Sequence, residues 1–260
     1  MLPGIDTKIE RIEKNELYSS KIYNQLKLLI ITGQIKPGTI INEREYSKLL
    51  DVSRTPLRDA LRLLENEGWI EQVGKNRKIA VLMWKDILEL FEIREPLDIL
   101  CFELAFPKVT PEHIGHLRKI IEEMDIFAVR NANDYYTLMK MDTSFHNYFA
   151  LITGNSQLIK IQDSISEKVV RSSVLSMKYS MHGGRNFAAD HIGILQSVEE
   201  GDLEKGKELL HIHYGSWKKR LLVIPERLNF DPQDGDAEIK EEFIKLSLIH
   251  ISEPTRLALI

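Results

Sequence analysis

The chain has 260 residues, 43% of them hydrophobic and 28% charged, the composition of an ordinary globular protein with one or two buried cores. No apolar run reaches transmembrane length and the first residues lack the basic-then-apolar order of a signal peptide, which argues against a membrane or secreted class and predicts a cytoplasmic setting. The single cysteine, Cys101, excludes an intrachain disulfide, and its apolar helical neighbours predict a core position. The net charge of −4 hides an asymmetry: residues 14–80 hold 12 Lys or Arg against 8 Asp or Glu, so that segment stands at +4 and the remainder at −8.

In chain order, Tyr18 to Thr32 carries Ile22, Leu26, Leu29 and Ile30 at helical spacing. Gly33 to Gly38, with Pro37, breaks that helix, and Asn42 is placed to cap a short helix over Glu43–Leu50. Asp51-Val52-Ser53 then forms a turn, with Ser53 positioned as the cap of the next helix and Pro56 in its first turn, where a missing N–H costs little. Arg54, Arg58 and Arg62 recur every four residues as a basic stripe, while Leu57, Leu61 and Leu64 lie on another face and are expected inside. Trp69 to Val81 reads as a β-hairpin around Gly74-Lys75-Asn76, its tip carrying Lys75, Arg77 and Lys78. Three helices and a basic hairpin make a winged helix-turn-helix, whose last helix a DNA major groove accommodates. An amphipathic helix with solvated arginines is the bland alternative, and the adjacent basic hairpin weighs against it.

From Trp84 onward the pattern is helical throughout. Helices are expected over Trp84–Phe106, with a stripe through Ile87, Leu90, Phe91, Leu97 and Leu100, and from the Thr110-Pro111-Glu112 start to about Arg130. Others follow over Asn133–Ile152, Gln157–Tyr179, Arg185–Glu200 (after a break at His182–Gly184), and from Gly201-Asp202 to about Val223. The fold class is therefore mainly α: an N-terminal winged helix-turn-helix with a small β-hairpin wing over 14–83, and an antiparallel all-α bundle over 84–228. Residues 229–260 form a tail. Its last part, 246–260 (LSLIHISEPTRLALI), has no clear helical face and looks like translated adaptor read-through, so no function is assigned to it and His250 is set aside.

Asp142 and His146 stand four apart on one expected helix, with His191 and His213 on two others. One carboxylate and three imidazoles facing a bundle core are a set that holds a divalent metal. From spacing alone, hydrogen-bonded core histidines explain the pattern as well.

The run IKPGTIINEREYSKLLDVSRTPLRDALRLLENEGWI resembles the N-terminal domain of GntR-type transcriptional regulators, with its Pro-Gly break, Glu-Arg-Glu, Val-Ser-Arg-Thr-Pro-Leu-Arg and Glu-Gly-Trp-Ile in order, over residues 16–82. It departs at Tyr46 and Ser47, where the family usually carries small or aliphatic residues. The resemblance implies that Arg44, Arg54, Thr55 and Arg58 touch DNA and that Gly74 is the wing glycine. With Ser53 beside them, and Lys75 and Arg77 on the wing, these make up the expected DNA-binding set. Residues 84–224 resemble the effector domain of the FadR-like branch, the FCD domain, on Ile93-Arg94 with Leu97, Asp142-x-x-Phe145-His146, Gly154-Asn155 with Leu158, and His191 ahead of Gly201-Asp202. In such domains an Asp and three His bind a metal that helps to hold a small carboxylate effector, which implies Asp142, His146, His191 and His213 as ligands. Family spacing selects His213 over His211, and two residues turn a helix by about 200°. Zinc is the first choice of metal, with nickel or manganese as alternatives.

A carboxylate also needs cationic partners, and Arg94 and Arg171 are the candidates, each with an ordinary ion pair as its alternative role. The expected protein is a ligand-responsive bacterial-type transcriptional regulator, not an enzyme, that binds palindromic operator DNA as a homodimer and has no membrane partner. A regulator for which the metal itself is the signal is the first alternative. A metal-dependent hydrolase is the second, and it lacks an obvious general base and any use for the winged segment.

Overall fold

The computed structural model describes residues 15–131, 133–179 and 187–221. The chain divides into two compact units between Val81 and Leu82, close to the junction expected at residues 83 and 84. The expected His182–Gly184 break, the end of the last helix beyond residue 221, the 229–260 tail and His250 lie outside the described residues.

In the first unit, α1 (Asn15–Ile31) buries Ile22, Leu26, Ile30 and Ile31 and packs on α3 (Arg54–Asn66). Between them lies α2 (Glu43–Leu49), capped as expected: the Asn42 carboxamide oxygen accepts from the backbone N–H groups of Arg44 at 3.0 Å and Glu45 at 3.4 Å. Asp51 takes a left-handed conformation, φ 51°, which a short polar side chain tolerates, and so turns the chain into α3. Leu57, Ala60, Leu61 and Leu64 of α3 are fully buried, and each leucine contributes about 1.5–3 kcal/mol by that burial.

Two expectations are corrected here. Ser53 has the extended backbone of a cap residue, but its side chain makes no capping hydrogen bond. A cap oxygen serves the second or third N–H of the helix, and Pro56, at the third position, removes one of those two donors. The wing is also more than a hairpin. Strand β1 (Ile40–Ile41), which follows the Pro-Gly break, joins β2 (Ile70–Val73) and β3 (Asn76–Ile79) in an antiparallel sheet of order β1-β3-β2. Ile40 pairs with Lys78, and Ile70 with Ile79. The β2–β3 turn is the two residues Gly74-Lys75, with Gly74 left-handed at φ 61°. Arg77 and Lys78 therefore lie within β3 and not at the tip.

The second unit holds six α-helices among its described residues: α4 (Trp84–Ala105), α5 (Pro111–Arg130), α6 (Tyr135–Thr153), α7 (Ser156–Tyr179), α8 (Phe187–Glu200) and α9 (Leu203–Leu221). Thr110 caps α5, accepting from the His113 N–H at 3.4 Å while the His113 ring accepts from the Thr110 N–H at 3.2 Å. Helix α4 runs straight through Pro96 and packs against α6, α7 and α9, while α5 packs on α6 and α8. Its inner face differs from the apolar stripe expected. Leu100 is 42% exposed, and the buried line passes through Ile87, Phe91, Arg94, Asp98, Cys101 and Phe102. Two charged residues thus take core positions on the longest face of α4. Gly206 lets α9 approach: a Cβ there would strike the Phe102 ring and come within 2.6 Å of Ser197 Oγ.

Candidate metal centre and nucleic-acid interface

Helix α6 carries Asp142 and His146 on one face, α8 supplies His191 and α9 supplies His213. All four are buried, and one donor atom from each lies within 4.8 Å of all the others. The three imidazole centroids are 5.0–5.4 Å apart, and Asp142 Oδ1 lies 3.2 Å from His191 Nε2. His146 Nε2 is buried and makes no hydrogen bond, a costly state for a ring nitrogen inside a core. His213 turns its other nitrogen, Nδ1, to Asp190 Oδ2 at 3.2 Å, the outer carboxylate contact typical of ligating histidines.

The surroundings of Asp142, His146 and His213 favour their deprotonated forms. Burial pushes the Asp142 carboxyl up, but the His191 hydrogen bond and the charges of His146, His191 and Arg94 outweigh it and hold the group well below the usual carboxylate range. Burial pushes His146 well down, against the pull of Asp142, and lowers His213 against the pull of Asp190. A carboxylate and three imidazoles converging in a buried space are the donor set of a divalent-cation site, so these residues fit the group the sequence implied.

Beside the cluster, Arg94 is buried with its Nε donating to Asp98 Oδ2 at 3.3 Å and its Nη2 at 3.7 Å from Asp142 Oδ2. Asp98, 3% exposed, also accepts from the Tyr214 hydroxyl and, through Oδ1, from the Gln162 amide. Burial raises the Tyr214 phenol well above its ordinary range, so it stays a donor. Arg171 is buried on α7, where burial brings it down to about 10 against the charge of Asp86 in the first turn of α4. Of the two expected arginines, Arg94 stands against the cluster through Asp142. His211 is exposed and pairs with Glu95 at 2.9 Å, as expected of a residue on the opposite side from His213. Asp98, Gln162, Tyr214 and Asp190 escaped the sequence reading. Only Asp98 left a signal, four residues after Arg94 at ion-pair spacing.

In the first unit, Arg44, Ser53, Arg54, Thr55 and Arg58 are exposed, as are Gly74 and Lys75 at the turn of the wing. Two arginines already hold internal acids. Arg58 Nε donates to Glu43 Oε2 at 2.6 Å, while Arg77 reaches Glu43 Oε1 at 2.8 Å and Glu65 Oε2 at 3.2 Å. Arg77 therefore ties β3 to α2 and α3 from a half-buried position.

Residues 18–77 match the family of bacterial regulatory proteins called gntR, and residues 89–216 match the FCD domain. The chain is 29% identical over 205 residues to the HTH-type transcriptional regulator YdhC of Bacillus subtilis, covering 78% of this chain and 91% of that protein. It is 25% identical over 228 residues to the gluconate operon transcriptional repressor of the same organism, covering 87% and 86%. In fold it is similar to a GntR transcriptional regulator from Rhodococcus sp. RHA1, with a TM-score of 0.64 at 18% identity over 78% of this chain and 97% of that one. No described helix is long and apolar enough to cross a membrane. With the two domains matched in order along one chain, the protein belongs to the GntR family of transcriptional regulators, in the group that carries an FCD domain.

Proposed function

We propose that this regulator binds a palindromic operator as a homodimer and that a small carboxylate, bound beside a divalent metal in the helical unit, alters that binding. The observation that carries the proposal is the convergence of four buried donor atoms within 4.8 Å, with a buried guanidinium next to them. Asp142, His146, His191 and His213 would hold the metal, with zinc the first choice and nickel or manganese as alternatives. The metal, when bound, supplies a positive centre with coordination positions for a carboxylate. Arg94 adds a fixed cation on the same side, and the surrounding core excludes the water that would compete for both. Arg171, buried on α7, is the second cation for a longer acid. The relative named for a gluconate operon fits this class, since gluconate is a hydroxycarboxylate.

The DNA-reading surface is the N-terminal end of α3 with the wing. Arg54, Thr55 and Arg58 would face base edges, while Arg44, Ser53, Lys75 and the backbone at Gly74 face phosphates. Arg77 acts through the wing it anchors. The dimer would use α4: Ile93, Leu100 and Leu104 are exposed and lie within about 40° of one another around the helix, next to α7 with its exposed Ile161. A second copy of this face would cover that stripe about a two-fold axis.

The test is elemental analysis of the purified protein, then operator binding with and without a chelator and with short hydroxy- and dicarboxylic acids. Stoichiometric metal and a ligand response that chelation abolishes support the reading. Absence of metal after reconstitution overturns it, and DNA affinity that follows metal without any acid assigns the metal itself as the signal.

A further inference from the structure

The geometry points to Asp98 as a positioning residue: with Tyr214 and Gln162 it clamps the Nε edge of Arg94, so that a carboxylate ligand can be gripped only by the terminal Nη1/Nη2 edge. This rests on the carboxylate reading above and goes beyond it by assigning how the acid is held. A guanidinium offers carboxylates two bidentate edges, one using Nε with a terminal nitrogen and one using both terminal nitrogens. In this core the first edge is taken. Nε donates to Asp98 Oδ2 at 3.3 Å, and among the described residues this is the hydrogen bond that the guanidinium makes. Nη2 stands 3.7 Å from Asp142 Oδ2, beyond hydrogen-bond reach, so the terminal nitrogens keep donor capacity and one of them lies beside the four-residue cluster.

Asp98 can hold that position because it is itself held from three helices. Tyr214 of α9 donates to the same Oδ2, Gln162 of α7 donates to Oδ1, and Arg94 lies one turn away on α4. The Tyr214 ring lies 5.8 Å from the guanidinium carbon and limits its swing. The neighbour of Tyr214 in sequence is His213, so the clamp and the cluster share one turn of α9. An acid entering between Arg94 and the metal position would meet the terminal edge head-on. Its carboxylate would lie in the guanidinium plane with the chain of the acid directed away from Asp98. A longer acid is therefore sorted by what lies on the side opposite Asp98, and the clamp sets the direction of its chain.

The experiment uses the full chain loaded with zinc and acetate as the probe, the smallest molecule that carries the group. The resonances of the Arg94 side chain are followed by NMR as acetate is added. The expected result is that acetate shifts the Nη–H signals of Arg94 and leaves its Nε–H signal in place, slow to exchange. Asp98→Asn, compared at saturating zinc because Asp98 Oδ2 also lies 3.6 Å from His146 Nδ1, should weaken acetate about tenfold, the size of one hydrogen bond to a charged group. In that variant acetate should move the Nε–H signal as well, because the edge is released. If acetate shifts Nε–H in the unmodified protein, the inference is overturned even should Asp98→Asn fail to fold. Unchanged acetate affinity in a folded Asp98→Asn overturns it too. If zinc is not taken up, or if acetate moves neither set of signals, the carboxylate reading itself falls and the inference with it, an outcome distinct from binding through the wrong edge.

Discussion

The two units hold their charged residues in opposite places. In the DNA-reading head, Arg44, Arg54 and Arg58 lie on the surface over a core of leucines and isoleucines, and the acids that meet Arg58 and Arg77 sit at the rim. In the helical unit, Arg94, Asp98 and Asp142 lie at 3–4% exposure among three histidines, and the bundle is packed around them. The head can lose a basic side chain and keep its fold, because water solvates what remains. The bundle cannot lose a partner so cheaply, since a charge left behind in a core must be neutralised or hydrated. An exposed basic surface and a buried cluster of charged and imidazole side chains thus place the same residue types under opposite energetic rules.

The sharpest way to break this contrast is to remove the proposed metal ligands. His191→Ala or His213→Ala should abolish stoichiometric metal and lower the thermal stability of the bundle, by about 4 kcal/mol when free metal stands a thousandfold above its dissociation constant. His211→Ala, two residues away and exposed, should change neither quantity. Elemental analysis and calorimetry of the three variants measure this, and equal behaviour of His211→Ala and His213→Ala would remove the distinction between the two faces of α9.

Gly206→Ala probes the packing that brings α9 to α4. The added methyl meets the Phe102 ring and Ser197 Oγ, and overpacking of that kind costs about 1–3 kcal/mol, more than the roughly 1 kcal/mol that alanine adds in helix propensity. Denaturant titration should show a less stable bundle. A more stable Gly206→Ala would mean that the helices part more easily than their contacts imply.

In the head the expected effects fall on DNA and leave the fold intact. Arg54→Ala should lose about 1–3 kcal/mol of discrimination at one base position, while Lys75→Ala should weaken all sequences alike and reduce the salt slope by about 0.9. Operator titrations at several salt concentrations separate the two, and a uniform loss for Arg54→Ala would move it from base to phosphate contact. The smallest effect is expected from Ser53→Ala, within about 0.5 kcal/mol in stability, because its hydroxyl makes no cap. A loss near the roughly 1 kcal/mol of a working cap would restore the role that the turn sequence suggested.

How much of this was legible beforehand differs between the units for the same reason. Helix periodicity, the Asn42 and Thr110 caps and the ends of α5 are written within a few residues of where they act, so each was readable locally. The stripe of α4 was misjudged because hydrophobicity predicts which residues prefer a core. It does not predict when partners from other helices, Asp142 of α6, Gln162 of α7 and Tyr214 of α9, will make Arg94 and Asp98 acceptable there while Leu100 faces out. Strand β1 escaped because two isoleucines carry no period, and their pairing depends on β3, far along the chain. The four ligand candidates were legible by residue type, spacing and resemblance.

The sequence by itself determined the local elements, the segregation of positive charge into the first eighty residues, and the residue types available for metal and DNA contact, because these depend on neighbours within a helical turn or two. Only the tertiary structure decided that donor atoms from α6, α8 and α9 meet within 4.8 Å, that Glu43 holds both Arg58 and Arg77, and that Asp98 restrains Arg94. Each depends on residues brought together by packing, where burial and partner geometry set the energy and spacing along the chain no longer does.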